Sequence, residues 1–207
     1  MTVRRLELLV EEPSMEAFLN ELLPRMLPTS CDFKVYPFQG KNDLLRKLPG
    51  RLSGYAQWLP EDWRIIVVVD RDDDDCTDLK RRLEQIAKSS GLRTRSRSRA
   101  GTQPWHIANR IAVEELEAWY FGDWDAVRHA YPHVSATIPR KSGFRDPDAV
   151  SGGTWETFER VLNKAGYFRG GLRKIEVARR IGSLIDPSRN YSHSFQTFCE
   201  VIAEVTA

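Results

Sequence analysis

Apolar positions alternate along this chain between the spacing of strands and the spacing of helices. Leu6 to Val10 (LELLV) is a short apolar run that predicts a first strand. After Pro13 and Ser14, the apolar residues Met15, Phe18, Leu19, Leu22 and Met26 recur at helical spacing, which predicts a helix capped by Ser14. Phe33 to Phe38 predicts a second strand. Leu44, Leu45, Leu48 and Leu52 give a leucine-rich helical face before the breakers Pro49, Gly50 and Gly54, and Tyr55 to Trp63 then connects onward. Ile65 to Val69 is a continuous β-branched run, as in central strands of parallel sheets that are buried on both faces. Leu79, Leu83, Ile86 and Ala87 mark an amphipathic helix whose other face carries Lys80, Arg81, Arg82 and Lys88, with Gly91 at its end. Ile111 to Val113 reads as a short strand, and Glu114 to Trp119 as the start of a helix.

This alternation predicts an α/β core, a central and mostly parallel sheet flanked by helices, over residues 1 to about 122. Beyond it the pattern turns helical. Trp124 to Tyr131 is a short helix capped by Asp123, and Pro132 to Gly153 is a long connection rich in Pro, Gly, Ser and Arg. Trp155 to Ala165, Ile175 to Ile185 and Phe195 to Ile202 supply three further helical faces. At 207 residues the length fits one domain with this helical extension over about 123 to 207.

Three predicted strands end in acid. The central run stops at Asp70, within RIIVVVDRDDDD, and Asp72 follows at the spacing that lets two carboxylates reach one hard cation such as Mg2+. Glu11 stands on the turn after the first strand, and Glu114, Glu115 and Glu117 on the turn after the third informative one. Ligand crevices of open α/β sheets lie at the carboxyl ends of strands. Each cluster also has a plainer reading. Asp72 to Asp75 would serve as an acidic turn with Thr77 or Asp78 capping the next helix, Glu11 and Glu12 would complement a helix dipole, and any single glutamate of the third cluster would face solvent. On a helix Glu114 and Glu117 would be neighbours on one face and Glu115 would point elsewhere.

Charge sharpens this picture. The net charge is only +2, but an acidic stretch, Glu61 to Asp78, adjoins a basic one, Lys80 to Arg99. Arg93, Arg95, Arg97 and Arg99 alternate, so in a strand all four would share one face. That face would follow a phosphate backbone or protect an exposed sheet edge. Arg140, Lys141 and Arg145 in the long connection are further phosphate-contact candidates. Cys31, Cys76 and Cys199 are odd in number and far apart, and so read as free thiols of a cytoplasmic protein. Met1 to Glu12 turns acidic where a signal peptide would be apolar, and no apolar run is long enough to cross a membrane. The four histidines show no metal-ligand spacing.

These residues carry a resemblance. The strand ending in VE before a Pro-Ser helix, the VVVDRDDDDC strand end, the VEELEAWYFGD segment and the ending Arg189 to Phe198 resemble the Toprim-like bacterial domain-of-unknown-function family 4276, related to OLD-type Toprim nucleases. The resemblance covers nearly the whole chain. It implies a Toprim-like sheet and one or two Mg2+ (or Mn2+) ions. In Toprim domains a glutamate after the first strand and an Asp-x-Asp after a later one hold the metal. Glu11 matches that glutamate, Asp70 and Asp72 match the Asp-x-Asp, and Glu117 or a neighbour such as Glu114 matches the later acid of the nuclease-type members. Two positions depart from the pattern. Glu12 stands where Toprim domains usually have glycine, and Met15, beside Glu16, stands where OLD-type nucleases carry a second glutamate.

The function expected on these grounds is Mg2+-dependent phosphodiester hydrolysis of DNA or RNA, with Glu11, Asp70, Asp72 and Glu117 as the reacting carboxylates. The resemblance further implies an AAA-type ATPase as partner and a role in defence against phage. The alternative is a catalytically inactive Toprim-like module that docks such an ATPase, to which Met15 is suited. A nucleotide-handling α/β domain is the third reading, and the absence of phosphate-cradling glycine motifs speaks against it.

Overall fold

The computed structural model describes residues 2–98, 104–150 and 152–206. Within them, strands β1 (Arg5–Val10), β2 (Asp32–Pro37), β3 (Trp63–Asp70) and β4 (Ile107–Ala112) form one sheet in the order β2-β1-β3-β4. All three pairings are parallel. Helices α1 (Pro13–Leu22), α2 (Lys41–Trp58) and α3 (Cys76–Ser89) make the crossovers that parallel strands require. The chain then continues through α4 (Leu116–Gly122), α5 (Trp124–Ala130), three short 3-10 turns, α6 (Thr154–Lys164), α7 (Lys174–Gly182) and α8 (His193–Thr206). The expected α/β class with a helical C-terminal extension is what the chain adopts.

The β-branched run reads as it does because β3 lies between β1 and β4 and alternates between two cores. Ile66 and Val68 point into a layer shared with α1 and the C-terminal helices. Ile65, Val67 and Val69 point into a layer covered by α2 and α3. All five are fully buried. The C-terminal helices therefore complete the first face of the sheet. Gly182 of α7 comes so close to α1 that a Cβ there would lie 2.7 Å from the Phe18 carbonyl oxygen. Phe18, Trp119, Phe195 and Phe198 then interlock with ring centroids 5.1 to 6.5 Å apart. Such aromatic pairs each add about 0.5–1.5 kcal/mol beyond area burial.

The ending Arg189 to Phe198 is a tie between the extension and the core. Arg189 makes a two-pronged ion pair with the fully buried carboxylate of Asp123, at 2.8 and 2.9 Å. Asn190 Nδ2 donates to the Trp119 carbonyl at 2.8 Å. Ser192 and Ser194 both donate to Asp148. His193 itself is exposed at the start of α8.

Several local expectations are corrected. Helix α2 runs through Pro49, Gly50 and Gly54 to Trp58, because Leu44, Leu45, Leu48, Leu52 and Tyr55 all bury against the sheet and outweigh the breakers. Glu12, not Ser14, is the N-cap residue of α1, and the Ser14 hydroxyl instead donates to the Glu12 carboxylate. Asp75 caps α3 by accepting from the Asp78 N–H at 2.9 Å, so neither Thr77 nor Asp78 is the cap. The last strand spans Ile107–Ala112 rather than 111 to 113. Among the described residues no helix is long and apolar enough to cross a membrane.

Candidate active site

Parallel pairing brings the strand ends to one edge. Val10 pairs with Val68 and Asp70 with Ala112, so the turns after β1, β3 and β4 leave the sheet side by side. Glu11 Oε2 accepts a hydrogen bond from the Asp70 N–H at 3.1 Å. Asp70 is 6% exposed, and its Oδ1 is buried with no hydrogen-bond partner among the described residues. Glu117, in the first turn of α4, is 3% exposed.

Burial and mutual repulsion govern the protonation of these acids. Burial, and after it the charges of Glu11, Glu117, Glu12 and Asp72, raise the Asp70 pKa well above its ordinary value. Burial also lifts Glu11 to about 7; the Asp70 amide and Lys41 pull it down, while Asp72 and Glu12 push it up. Glu117 is likewise raised to about 7 by burial, against the opposing charge of Lys174. The Tyr120 hydroxyl is buried beside Glu117, Glu12 and Asp70 and has no hydrogen-bond partner among the described residues. Burial pushes its pKa up as well.

The other acids of these turns are engaged elsewhere. Asp72 takes a left-handed backbone, φ 48°, and its carboxylate lies 2.8 Å from Lys41 Nζ. The same ammonium reaches Asp74 and the Arg71 carbonyl, each at 2.8 Å. Glu114 also has positive φ, 63°, and is ion-paired with Arg71. It therefore precedes the helix, and the expected side-by-side placement of Glu114 and Glu117 on one helical face does not form. Glu115 accepts from Thr154 Oγ1 at 2.7 Å and from the Trp155 N–H at 2.9 Å, which ties α6 to the β4 turn. Met15 packs in the core at 2% exposure.

Two lysines at this edge had no signal in the linear pattern. Lys41 opens α2, and Lys174 opens α7 with its ammonium 4.9 Å from the Trp155 ring centroid. Burial works against the Lys174 charge, but Glu117, Glu12, Glu115 and Asp70 outweigh it and raise its pKa. Only the folded chain puts these lysines among the acids.

The arginines lie elsewhere. Residues Arg95–Arg97 form a 3-10 turn, not a strand, and only Thr94 bridges to Ile107. Local bonding explains the difference: Arg95 is ion-paired with Glu204 of α8, and the Ser96 hydroxyl donates to Glu84. Arg93 donates to the Pro104 carbonyl at 3.0 Å, Arg97 is exposed, and Arg99 lies outside the described residues. Ile107 stands five residues before Ala112, so this turn is roughly 16 Å along β4 from the carboxylates. Arg140, Lys141 and Arg145 are exposed on and beside the 3-10 turns of the long connection.

A hard divalent cation wants oxygen donors, and the edge offers carboxylates of the right kind, one of them with an orphaned oxygen. The number of donors is smaller than a complete site needs. Among the described residues no three such side chains converge on a common point.

No curated protein and no solved structure matches the chain. Residues 10–203 match the family described as domain of unknown function (DUF4276), which spans all three acidic turns and the Arg189 to Phe198 tie. By that match this chain belongs to the DUF4276 family.

Proposed function

We infer that this chain is a Toprim-like, Mg2+- or Mn2+-dependent hydrolase of phosphodiester bonds in nucleic acid. The observation that carries the reading is Asp70, a buried carboxyl group with an unpartnered oxygen, crowded by Glu11 and Glu117 where three parallel strands end. Crowded like charges destabilise a fold unless something compensates them. Asp70 would anchor the cation with Glu11 and Glu117 beside it, and Asp72 and Glu114 would join only on leaving Lys41 and Arg71. A bound cation would polarise the phosphoryl group and offset the carboxylate charge.

The chain's own groups supply the rest. In the metal-free chain Glu117 and Glu11 have pKa values of about 7, and whichever of them does not hold the cation would accept the proton of the attacking water. Lys174 places positive charge beside Glu117, where it would attract a phosphate. The exposed Arg140, Lys141 and Arg145 serve as phosphate contacts, together with Arg93 and Arg97 for a longer substrate.

A second reading, a non-catalytic module that docks a partner AAA-type ATPase, is favoured by one observation. Lys41 holds Asp72, one of the expected ligands, and Met15 supplies no carboxylate where OLD-type nucleases carry a second glutamate. Incubation with plasmid, single-stranded DNA and structured RNA in Mg2+, Mn2+ or chelator separates the two. The nuclease reading expects cleavage that stops on chelation and in Asp70→Asn. Cleavage that survives chelation defeats the metal mechanism, and no cleavage in any condition favours the docking module.

A further inference from the structure

At the end of α2 remote from Lys41 lies a cavity of about 390 Å3, within the range of small-molecule sites. It is walled by the C-terminal half of α2 and by the β2, β1 and β3 strands. At its base is Glu7, 2% exposed, which accepts from Arg5 Nε at 2.8 Å and from the Tyr55 hydroxyl at 2.6 Å. The Tyr36 side chain also hydrogen-bonds to Glu7. A carboxylate has about four acceptor positions, so with three donors in place one is left for an N–H of a ligand.

The rim is aromatic and basic. Trp58 is 55% exposed, with its ring centroid 5.4 Å from Tyr55 and 5.6 Å from Trp63. The Arg51 guanidinium lies 4.6 Å from the Tyr36 ring and donates to the Tyr55 hydroxyl at 3.2 Å. Arg5, Arg51 and Glu7 together carry +1. The aromatic faces already hold cations, since Arg5 covers Trp63 and Lys34 covers Tyr36, each at 5.0 Å. A cationic ligand would meet repulsion here, and an anionic, planar one would not.

The helix backbone keeps the cavity open. Gly50 and Gly54 line it about one turn apart, and a Cβ at either would meet nothing within 4 Å. Packing therefore does not demand glycine at these positions, and glycine is disfavoured against alanine in a helix interior. Side chains there would occupy the space that the two glycines leave.

We propose that this cavity is a nucleotide site in which the base stacks on Trp58 with an N–H directed at Glu7, and Arg51 holds the phosphate. The chemistry is shared by a free mononucleotide and by one nucleotide of a single strand, and the volume suits one such unit. The site stands apart from the carboxylate edge and does not depend on the reading of that edge.

The full chain is titrated in chelator, which keeps metal out of the carboxylate edge, with GMP, AMP, UMP and CMP and with 5′-phosphorylated pentanucleotides. Calorimetry and tryptophan fluorescence report binding. Saturable binding is expected, weakened about ten- to a hundredfold in Trp58→Ala, the range that base–aromatic stacking supplies. Gly54→Leu fills the cavity and should lose binding while melting at the same or a higher temperature. Binding of a mononucleotide assigns the free ligand, and binding of the pentanucleotide alone assigns a strand. No saturation by any ligand at millimolar concentration overturns the proposal, as does equal affinity in Trp58→Ala and Gly54→Leu.

Discussion

The Asp70 backbone N–H donates to Glu11 Oε2 at 3.1 Å, joining residues 59 positions apart. One carboxylate is thereby fixed by the amide of the residue that carries the other, and the pair cannot move apart without breaking a bond at the buried end of β3. The parallel register of β1 and β3 makes this contact, because Val10 beside Val68 leaves Glu11 level with the end of the central strand.

Removing the Asp70 charge tests its role. Burial and four neighbouring acids raise the Asp70 pKa, which favours the neutral carboxyl group in the absence of metal, the form that Asp70→Asn imitates. The metal-free variant is expected to keep its stability within about 1 kcal/mol of the parent. Added Mg2+ should raise the melting temperature of the parent but not of the variant. A loss of several kcal/mol in the metal-free variant would make Asp70 a structural residue.

Stability without metal should fall as pH rises. Glu11 and Glu117 titrate near 7 in the folded chain against 4.5 as free groups, so between these values the folded state binds more protons than the unfolded. Their contribution is complete below about pH 4.5 and is lost as pH rises through about 7. For Glu117, which is buried, the loss is at most about 3 kcal/mol. Urea titrations from pH 5 to 8 should show the slope in the parent and a flatter one in Glu117→Gln, and a parent whose stability rises over this window contradicts the raised pKa values.

The tie between core and extension should be sensitive to either partner. Arg189→Ala leaves the fully buried Asp123 carboxylate without its counter-charge, at an expected loss of about 3 kcal/mol or more. Gly122→Ala should be comparably damaging, because the new Cβ would sit 2.0 Å from Asn190 Oδ1. Denaturant unfolding reads both, and an Arg189→Ala change under 1 kcal/mol would show the ion pair to be unimportant.

Salt dependence distinguishes the basic segments. Arg95 is committed to Glu204, so Arg95→Gln should leave the salt slope of nucleic-acid binding unchanged. Replacing Arg140, Lys141 and Arg145 together with Gln should flatten the log-log slope by about 2 to 3, at 0.7 to 0.9 per lost phosphate contact. The opposite pattern in binding measured between roughly 50 and 200 mM salt would move the substrate track to the Arg95 turn.

The sequence by itself determined which stretches become the main strands and helices, though not all of their ends. Ile65 to Val69 specifies a strand buried on both faces, and the aspartate after it marks where that strand closes, because periodicity is a property of local backbone geometry. The three acidic turns were legible for the same reason. The tertiary structure alone decided which acids come together. Glu11, Asp70 and Glu117 are crowded, whereas Glu114 goes to Arg71, Glu115 to the start of α6 and Asp72 to Lys41. It also turned Arg95–Arg97 into a 3-10 turn pinned by Glu204 and Glu84, and carried α2 through Pro49. Pairing, burial and the pKa shifts that follow depend on through-space neighbours tens of residues away, which spacing along the chain does not encode.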